Sequence, residues 1–217
     1  MSSELLRLFV ESFWETLVMV GVSGSVATLL GVPLGVLLVI TERDNLVPNV
    51  PMNRAVGAIV NAVRSTPFII LLVAIIPFTR LVVGTSIGTI AAIVPLTLAA
   101  TPFVGRIVEN ALREVDRGLI EAAQAMGATP YQIVSKVLIP EALSAIVGGL
   151  TITLVSLIGY SAMAGAIGGG GLGDLGIRYG YQRFLPEVML AVVVVLIVLV
   201  QAIQFAGDRL ARQVNRR

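Results

Sequence analysis

The sequence predicts an all-α integral membrane protein with five transmembrane helices. Hydrophobic residues make up 56% of the 217 positions and charged residues only 13%, and the mean hydropathy is +0.94. A water-soluble surface needs more charge than this. The charged residues also leave long uncharged segments between them, and a bilayer core of about 30 Å is crossed by roughly 20 apolar residues in a helix. We therefore expect a single transmembrane domain over residues 1–217.

Each predicted span fills a gap between charged residues. The second gap is short, because Arg64 and Arg80 flank it closely. It reaches spanning length only if the helix begins before Arg64, whose side chain would then extend toward the aqueous boundary. Prolines inside the segments predict kinks, which membrane helices tolerate when neighbouring groups satisfy the freed carbonyls. The predicted spans are residues 16–41, 57–79, 84–107, 142–167 and 188–207.

The basic residues predict the orientation of these spans. An odd number of spans places the two termini on opposite sides of the membrane. With the C-terminus inside, eleven of the fifteen basic residues lie on the inner side, as is typical of membrane proteins. We expect the N-terminus outside, preceded by no cleaved signal because its flank is acidic rather than basic. The net charge of +2 results from the inner arginines and predicts no nucleic-acid partner.

The composition excludes several kinds of active site. The sequence contains no cysteine and no histidine, which excludes disulfides, thiolate nucleophiles and histidine-ligated metals. We expect every acidic residue at a segment end or in a loop, which disfavours a carrier driven by ion binding to a buried carboxylate. The glycine-rich run 168–176 lacks the Gly-Lys-Ser/Thr ending of a phosphate-binding loop. We predict no catalytic, cofactor-binding or metal site, so energy for transport would come from a partner.

Residues 113–140 form a polar segment between the third and fourth spans. Gly127 can adopt the left-handed conformation that ends a first helix. Thr129, Pro130 and Gln132 then supply the N-cap, the first-turn proline and the capping-box partner of a second helix. The segment therefore predicts a helix-turn-helix elbow on the cytoplasmic side.

The elbow offers features that a partner protein could hold. Glu121 is expected near the start of the first helix, where its charge is favourable to the helix dipole. Ala122, Ala123 and Ala125 would form a slim face that fits a groove. An ordinary amphipathic loop with a solvated glutamate is the alternative, and these residues alone do not decide between the two.

The elbow resembles the EAA loop of permease subunits of bacterial ATP-binding-cassette importers. The shared pattern is Glu121-Ala122-Ala123, then Gly127, then Val137-x-Ile139-Pro140, in which the valine and isoleucine are conservative departures. Other segments extend the resemblance over nearly the whole chain and are similar to the methionine-importer permeases. They are NAVRSTPFIILL, GTSIGTIAAIVPL, IVENALREV, GYSAMAGAIGGGGLG and QFAGDRL.

The resemblance implies a type I importer permease without its own catalytic site, in the bacterial cytoplasmic (inner) membrane. The expected partners are a second copy of the chain, two ATPase subunits that bind ATP–Mg, an extracytoplasmic binding protein and methionine in its L and D forms. The residues expected to couple to the ATPase are Glu121, Ala122, Ala123, Met126, Gly127, Ala128, Thr129 and Pro130. Alternatives are a related importer for another small amino acid or anion, an ion-driven carrier and a membrane scaffold or enzyme without transport activity.

The fourth span is rich in small residues and gives two alternatives. Small residues allow helices to approach closely, so the segment can serve packing alone. The sharper hypothesis is that Ser156, Tyr160, Ser161 and Met163 line a translocation path, with Met163 as a flexible apolar plug. Because five spans form only half of a pore, a homodimer with the path on its two-fold axis completes this hypothesis. The glycine-rich exit loop would then either meet the binding protein or serve as a flexible connector.

Overall fold

The computed structural model describes residues 3–215, and over that range its regular elements are all helical. The predicted all-α class is confirmed. Two π-helical segments, Val134–Leu138 and Gly176–Gln182, accompany the α-helices. In chain order the α-helices are α1 (Ser3–Ile40), α2 (Val50–Ser65), α3 (Phe68–Ala74), α4 (Ile76–Val83), α5 (Thr89–Arg113), α6 (Arg117–Ala125), α7 (Pro130–Ile133), α8 (Ile139–Gly165), α9 (Gly171–Leu175) and α10 (Pro186–Val214).

Four stretches are long and apolar enough to cross a membrane. They are α1, α5, the continuous helix Pro130–Gly165 and α10. The pair α2 and α3 passes the same test, but its two helices meet at 104°. If this bent pair counts as one span, the described residues provide the five spans that the sequence predicts.

The bent span owes its shape to its prolines. Thr66 precedes Pro67 and is extended, with φ −84° and ψ 125°, because a proline ring disfavours the helical conformation in the residue before it. Ile75, with φ −96° and ψ 10°, separates α3 from α4, which carries Pro77 in its first turn. The second span is therefore three short helices in place of one straight helix.

The centre of the bundle is the pair α1 and α5, which run in the same direction. Gly31 and Gly35 of α1 lie so close to α5 that an added Cβ would come within 2.6 Å of the side chains of Val104 and Val108, respectively. Small residues make this approach possible. In turn, α8 packs on α5, and α10 packs on α8.

The outside of the bundle is apolar. On α10 the exposed fractions of Val193, Val194, Ile197 and Val198 lie between 43% and 62%. A continuous face of such side chains is unfavourable in water and favourable against lipid or another membrane helix. This surface agrees with a protein that is embedded in a bilayer.

Candidate functional site

The first helix of the elbow begins earlier than the sequence suggested. Asp116 caps α6, because its carboxylate accepts a hydrogen bond from the Gly118 backbone N–H at 2.6 Å. Glu121 is consequently the fifth residue of α6 and lies outside the first turn. The expectation that Glu121 stabilises the helix start is wrong, and Asp116 takes that role. The exposed Glu121 side chain is left facing solvent.

The corner of the elbow has the predicted geometry. Gly127 has a φ of +79°, and the Ala128 N–H donates to the Ala123 carbonyl at 3.0 Å, which closes α6 as a Schellman motif does. Thr129 and Gln132 form a reciprocal capping box: the Thr129 N–H donates to Gln132 Oε1 at 2.9 Å, and the Gln132 N–H donates to Thr129 Oγ1 at 3.4 Å. The helix end and the helix start predicted here are confirmed.

The second helix of the elbow does not end inside the elbow. α7 passes through the π-helical segment into α8 without a break, so residues 130–165 form one helix of 36 residues. At about 1.5 Å per residue this helix is roughly 54 Å long. Thr129 therefore caps the same helix that passes through the membrane-crossing part of α8.

The elbow has one buried face and one exposed face. Ala123 and Ile133 are 4% and 1% exposed and join the hydrophobic core. Met126 and Tyr131 are 82% and 80% exposed on the opposite face. The predicted slim alanine face is therefore divided, since Ala123 points inward while its neighbours in α6 point outward. The corner of the elbow therefore exposes two large side chains, those of Met126 and Tyr131.

The residues predicted to line a path on α8 do not all lie on the same face. Met163 is 48% exposed, and Ser156, about two helical turns earlier, is partly exposed. The Tyr160 ring stacks on Phe68 of α3, with 4.7 Å between ring centroids. Ser161 is only 2% exposed, and its hydroxyl donates to the Ile158 carbonyl. Ser161 therefore faces the core of this chain and does not share the exposed face of α8 with Met163.

The glycine-rich segment after α8 folds back into the protein. Gly170 and Gly171 have φ of +79° and +77°, a conformation that glycine adopts without a steric penalty. The Gly171 N–H donates to the Glu15 carboxylate at 2.7 Å, and the Leu172 N–H donates to the Thr16 hydroxyl at 2.9 Å. Leu172 is completely buried. The segment is thus a fixed re-entrant turn, and the alternative of a flexible connector is wrong.

Beyond this turn the chain returns to the surface. Arg178 pairs with Asp174, and the Arg183 guanidinium lies 4.4 Å from the centroid of the Tyr179 ring. Tyr181 is 69% exposed. The surface at this end of the bundle therefore presents cations and an aromatic ring, on the side that the charge distribution predicts to be outside.

The sequence-based reasoning missed two acidic residues inside helices. Glu15 lies within α1 and holds the re-entrant turn, and Glu109 lies within α5, where it is 1% exposed. Both residues lie just outside the predicted spans 16–41 and 84–107, as expected of the acidic residues, but their contacts were not predicted. Arg106 and Arg113 stand three residues before and four residues after Glu109, and this helical spacing was the available signal.

Comparison with known proteins places the chain in a family. Residues 31–217 match the family described as binding-protein-dependent transport system inner membrane component. A probable D-methionine transport system permease protein MetI of Vibrio cholerae is 59% identical over 210 residues, which are 97% of this chain and 93% of that protein. The D-methionine transport system permease protein MetI of Escherichia coli strain K12 is 57% identical over 217 residues and all of both chains.

A solved structure agrees with these matches. A chain of the MetNI methionine ABC transporter, crystallised in an inward-facing conformation, is 57% identical and superposes with a TM-score of 0.98 over all of both chains. The match covers the elbow, α8 and the re-entrant turn. The chain therefore belongs to the family of inner membrane components of binding-protein-dependent transport systems.

Proposed function

We propose that this chain is the membrane-spanning subunit of an ATP-driven methionine importer. Its relatives are named for D-methionine transport, and the matching solved structure is a methionine ABC transporter. The observation that carries the proposal is the elbow. Its exposed corner can dock a partner, and its second helix continues into the membrane as α8. Both L- and D-methionine are taken as substrates.

The working assembly contains two copies of this chain. One copy leaves a face of α8 exposed around Ser156 and Met163, and two copies related by a two-fold axis would enclose a path between such faces. Tyr160 contributes to the path through its stack on Phe68. The permeation route is therefore uncharged, and Met163 is a flexible apolar plug within it.

Energy enters the assembly through the elbow. Two ATPase subunits bind ATP–Mg and dock on the two elbows, so this chain performs no chemistry of its own. The docking surface comprises the exposed side of α6 and the corner, centred on Met126 and Gly127. When the ATPases close on ATP, they draw the two elbows together, and the continuous helix from Pro130 to Gly165 transmits that displacement to the path.

The orientation of the chain follows from this assembly. The elbow and the C-terminus face the cytoplasm, and the N-terminus and the re-entrant turn face the binding protein outside, in a single permease domain of the inner membrane. A tag fused to the C-terminus will be digested by protease in inverted vesicles and protected in intact cells. Digestion in intact cells would reverse the orientation.

Uptake into proteoliposomes tests the proposed substrate. The chain is assembled with its ATPase and its binding protein, and radiolabelled methionine is supplied outside with ATP inside. We expect uptake that requires ATP, that persists when ion gradients are collapsed and that only unlabelled methionine competes. ATP hydrolysis with uptake of a different amino acid would show that the chain is an ATP-driven importer with another substrate. Uptake that depends on the ion gradient would show that it is not an ATP-driven importer.

A further inference from the structure

A buried carboxylate lies near the inner end of α5. Glu109 is 1% exposed, and Val108 and Leu112 beside it belong to the hydrophobic core. Its oxygens accept hydrogen bonds from Arg106 Nη1 at 2.8 Å and 2.6 Å, and Arg113 Nη2 lies 2.6 Å from Oε1. A buried carboxylate without such partners would be strongly destabilising. Glu109 therefore fixes both arginine side chains.

The two arginines extend this cluster to other helices. Arg113 pairs with Glu42, just after α1. Arg106 Nη2 donates to the Asn61 side-chain oxygen at 2.9 Å and to the Gly57 carbonyl at 3.4 Å, and both acceptors lie on α2. Among residues 3–215, these two bonds are the hydrogen bonds that join α2 to α5. One guanidinium group thus makes these hydrogen bonds between the bent second span and the central helix, and the Arg64 guanidinium of α2 lies 5.8 Å from the centroid of the Phe103 ring of α5.

The links within the cluster differ in strength. The contacts of Arg106 with Glu109 are buried and join opposite charges, whereas its contact with Asn61 is exposed and involves a neutral amide. The Arg106 Nε atom is buried and has no hydrogen-bond partner in this conformation, so the guanidinium does not use its full set of donors. The contact of Arg106 with Asn61 is therefore weaker than its contacts with Glu109.

The cluster lies between the elbow and the path. α5 ends at Arg113, and only Glu114–Asp116 separate it from α6 of the elbow. On the other side, α2 leads through the 104° bend into α3, whose Phe68 stacks on Tyr160 of α8. A displacement of the elbow therefore reaches the path along α8 and also through α5, Arg106 and α2.

We propose that Arg106 and Asn61 are positioning residues for the transport cycle, forming a releasable latch between α5 and α2. The proposal rests on the proposed function of the chain as an ATP-driven importer. Because the structure superposes on an inward-facing transporter, the latch is closed in that state. ATP binding by the partner subunits opens it and frees α2 to move with the path.

Two substitutions of Asn61 test the latch, because they are expected to change the rate of ATP hydrolysis in opposite directions. In the assembled permease–ATPase complex, Asn61→Ala removes the acceptor and is expected to raise ATP hydrolysis in the absence of binding protein by about three- to tenfold. Asn61→Asp offers Arg106 a charged acceptor and is expected to lower hydrolysis and uptake by a similar factor of about three to ten. Asn110→Ala, at an exposed asparagine of α5 outside the cluster, is the matched control and is expected to behave as the unsubstituted complex.

Hydrogen–deuterium exchange of the peptide covering residues 50–65 reads the latch directly. In the unsubstituted complex, exchange in α2 is expected to rise when a non-hydrolysable ATP analogue is added. The Asn61→Ala variant should show the raised exchange without nucleotide, and the Asn61→Asp variant should resist the analogue. The yield of assembled complex, measured by size exclusion, is expected to be equal in all four proteins.

The outcomes separate this proposal from the proposed substrate. Hydrolysis that falls in both Asn61 variants, or that changes in neither, would overturn the latch and leave a merely structural cluster. Hydrogen–deuterium exchange in α2 that does not change when the ATP analogue is added would also overturn the latch. If the complex fails to import methionine but its α2 exchange responds to nucleotide with the expected signs, the latch stands and the assigned substrate fails.

Discussion

Two glycines with nearly the same φ lie before and after the continuous helix that ends in α8. Gly127, at the elbow, has φ +79°, and Gly171, at the re-entrant turn, has φ +77°. A Cβ added to Gly127 would meet nothing within 4 Å, whereas one added to Gly171 would lie 2.6 Å from Met19 Cε and 2.7 Å from Thr16 Oγ1. The elbow is therefore open at Gly127, and the re-entrant turn is crowded at Gly171.

This difference separates two uses of glycine in the same protein. At the elbow, glycine sets an angle between two helices whose outer face is free for a partner. At the re-entrant turn, glycine permits close packing and hydrogen bonds from the backbone to Glu15 and Thr16. The end of α8 at the re-entrant turn is thus held by contacts within the chain. On the proposed function, a displacement at the elbow would act on α8 against this held end.

Gly171→Ala should have the largest effect on stability. The added methyl group combines overpacking against Met19 and Thr16 with an unfavourable φ, so we expect the free energy of unfolding to fall by about 2 to 5 kcal/mol. Denaturant unfolding in mixed micelles measures the change. A smaller loss of unfolding free energy in Gly171→Ala than in Gly127→Ala would show that the re-entrant turn is not packed more tightly than the elbow.

Glu15→Ala should have an intermediate effect. The substitution leaves the Gly171 N–H without its acceptor, and we expect a loss of about 1 to 3 kcal/mol in the free energy of unfolding. Glu11→Ala is the matched control, because Glu11 makes only an exposed pair with Arg7 and should change stability by less than about 1 kcal/mol. Equal losses in the two variants would remove Glu15 as the anchor of the turn.

Gly127→Ala should have the smallest effect on stability and a larger one on transport. Only the unfavourable φ opposes the methyl group, so the expected loss is about 1 kcal/mol. The altered angle of the elbow should reduce methionine uptake per ATP hydrolysed while the complex still assembles. Gly127→Asn is the control, because asparagine tolerates the left-handed conformation better than alanine, and it should retain more coupling. Uptake per ATP that is unchanged in the alanine variant would exclude a coupling role for this corner.

The sequence predicted local structure well where side chain and backbone interact within a few residues. The capping box of Thr129 and Gln132, the left-handed Gly127 and the proline breaks were all readable, because caps and prolines act on their immediate neighbours. The start of α6 was not predicted correctly, because its N-cap Asp116 lies five residues before Glu121, which was expected near the helix start.

Features that depend on distant residues could not be read in the same way. The contact of Glu15 with Gly171 joins positions 156 residues apart, and nothing in the local pattern of either segment indicates it. Ser161 and Met163 are near neighbours in sequence, but the direction of each side chain depends on which helices pack against α8. The spacing of Arg106, Glu109 and Arg113 fits a helical charge cluster that the sequence analysis did not predict, and the contacts of the cluster with Glu42 and Asn61 join distant parts of the chain.

Thiol labelling at the elbow tests most directly that the inner corner is the docking surface for the ATPase. The chain has no cysteine, so Met126→Cys introduces a single thiol at a position that is 82% exposed. We expect a membrane-impermeant maleimide to label it in inverted vesicles and not in intact cells, and we expect the bound ATPase to protect it. Labelling from outside intact cells, or labelling in inverted vesicles that the ATPase does not reduce, would contradict the assignment of the elbow.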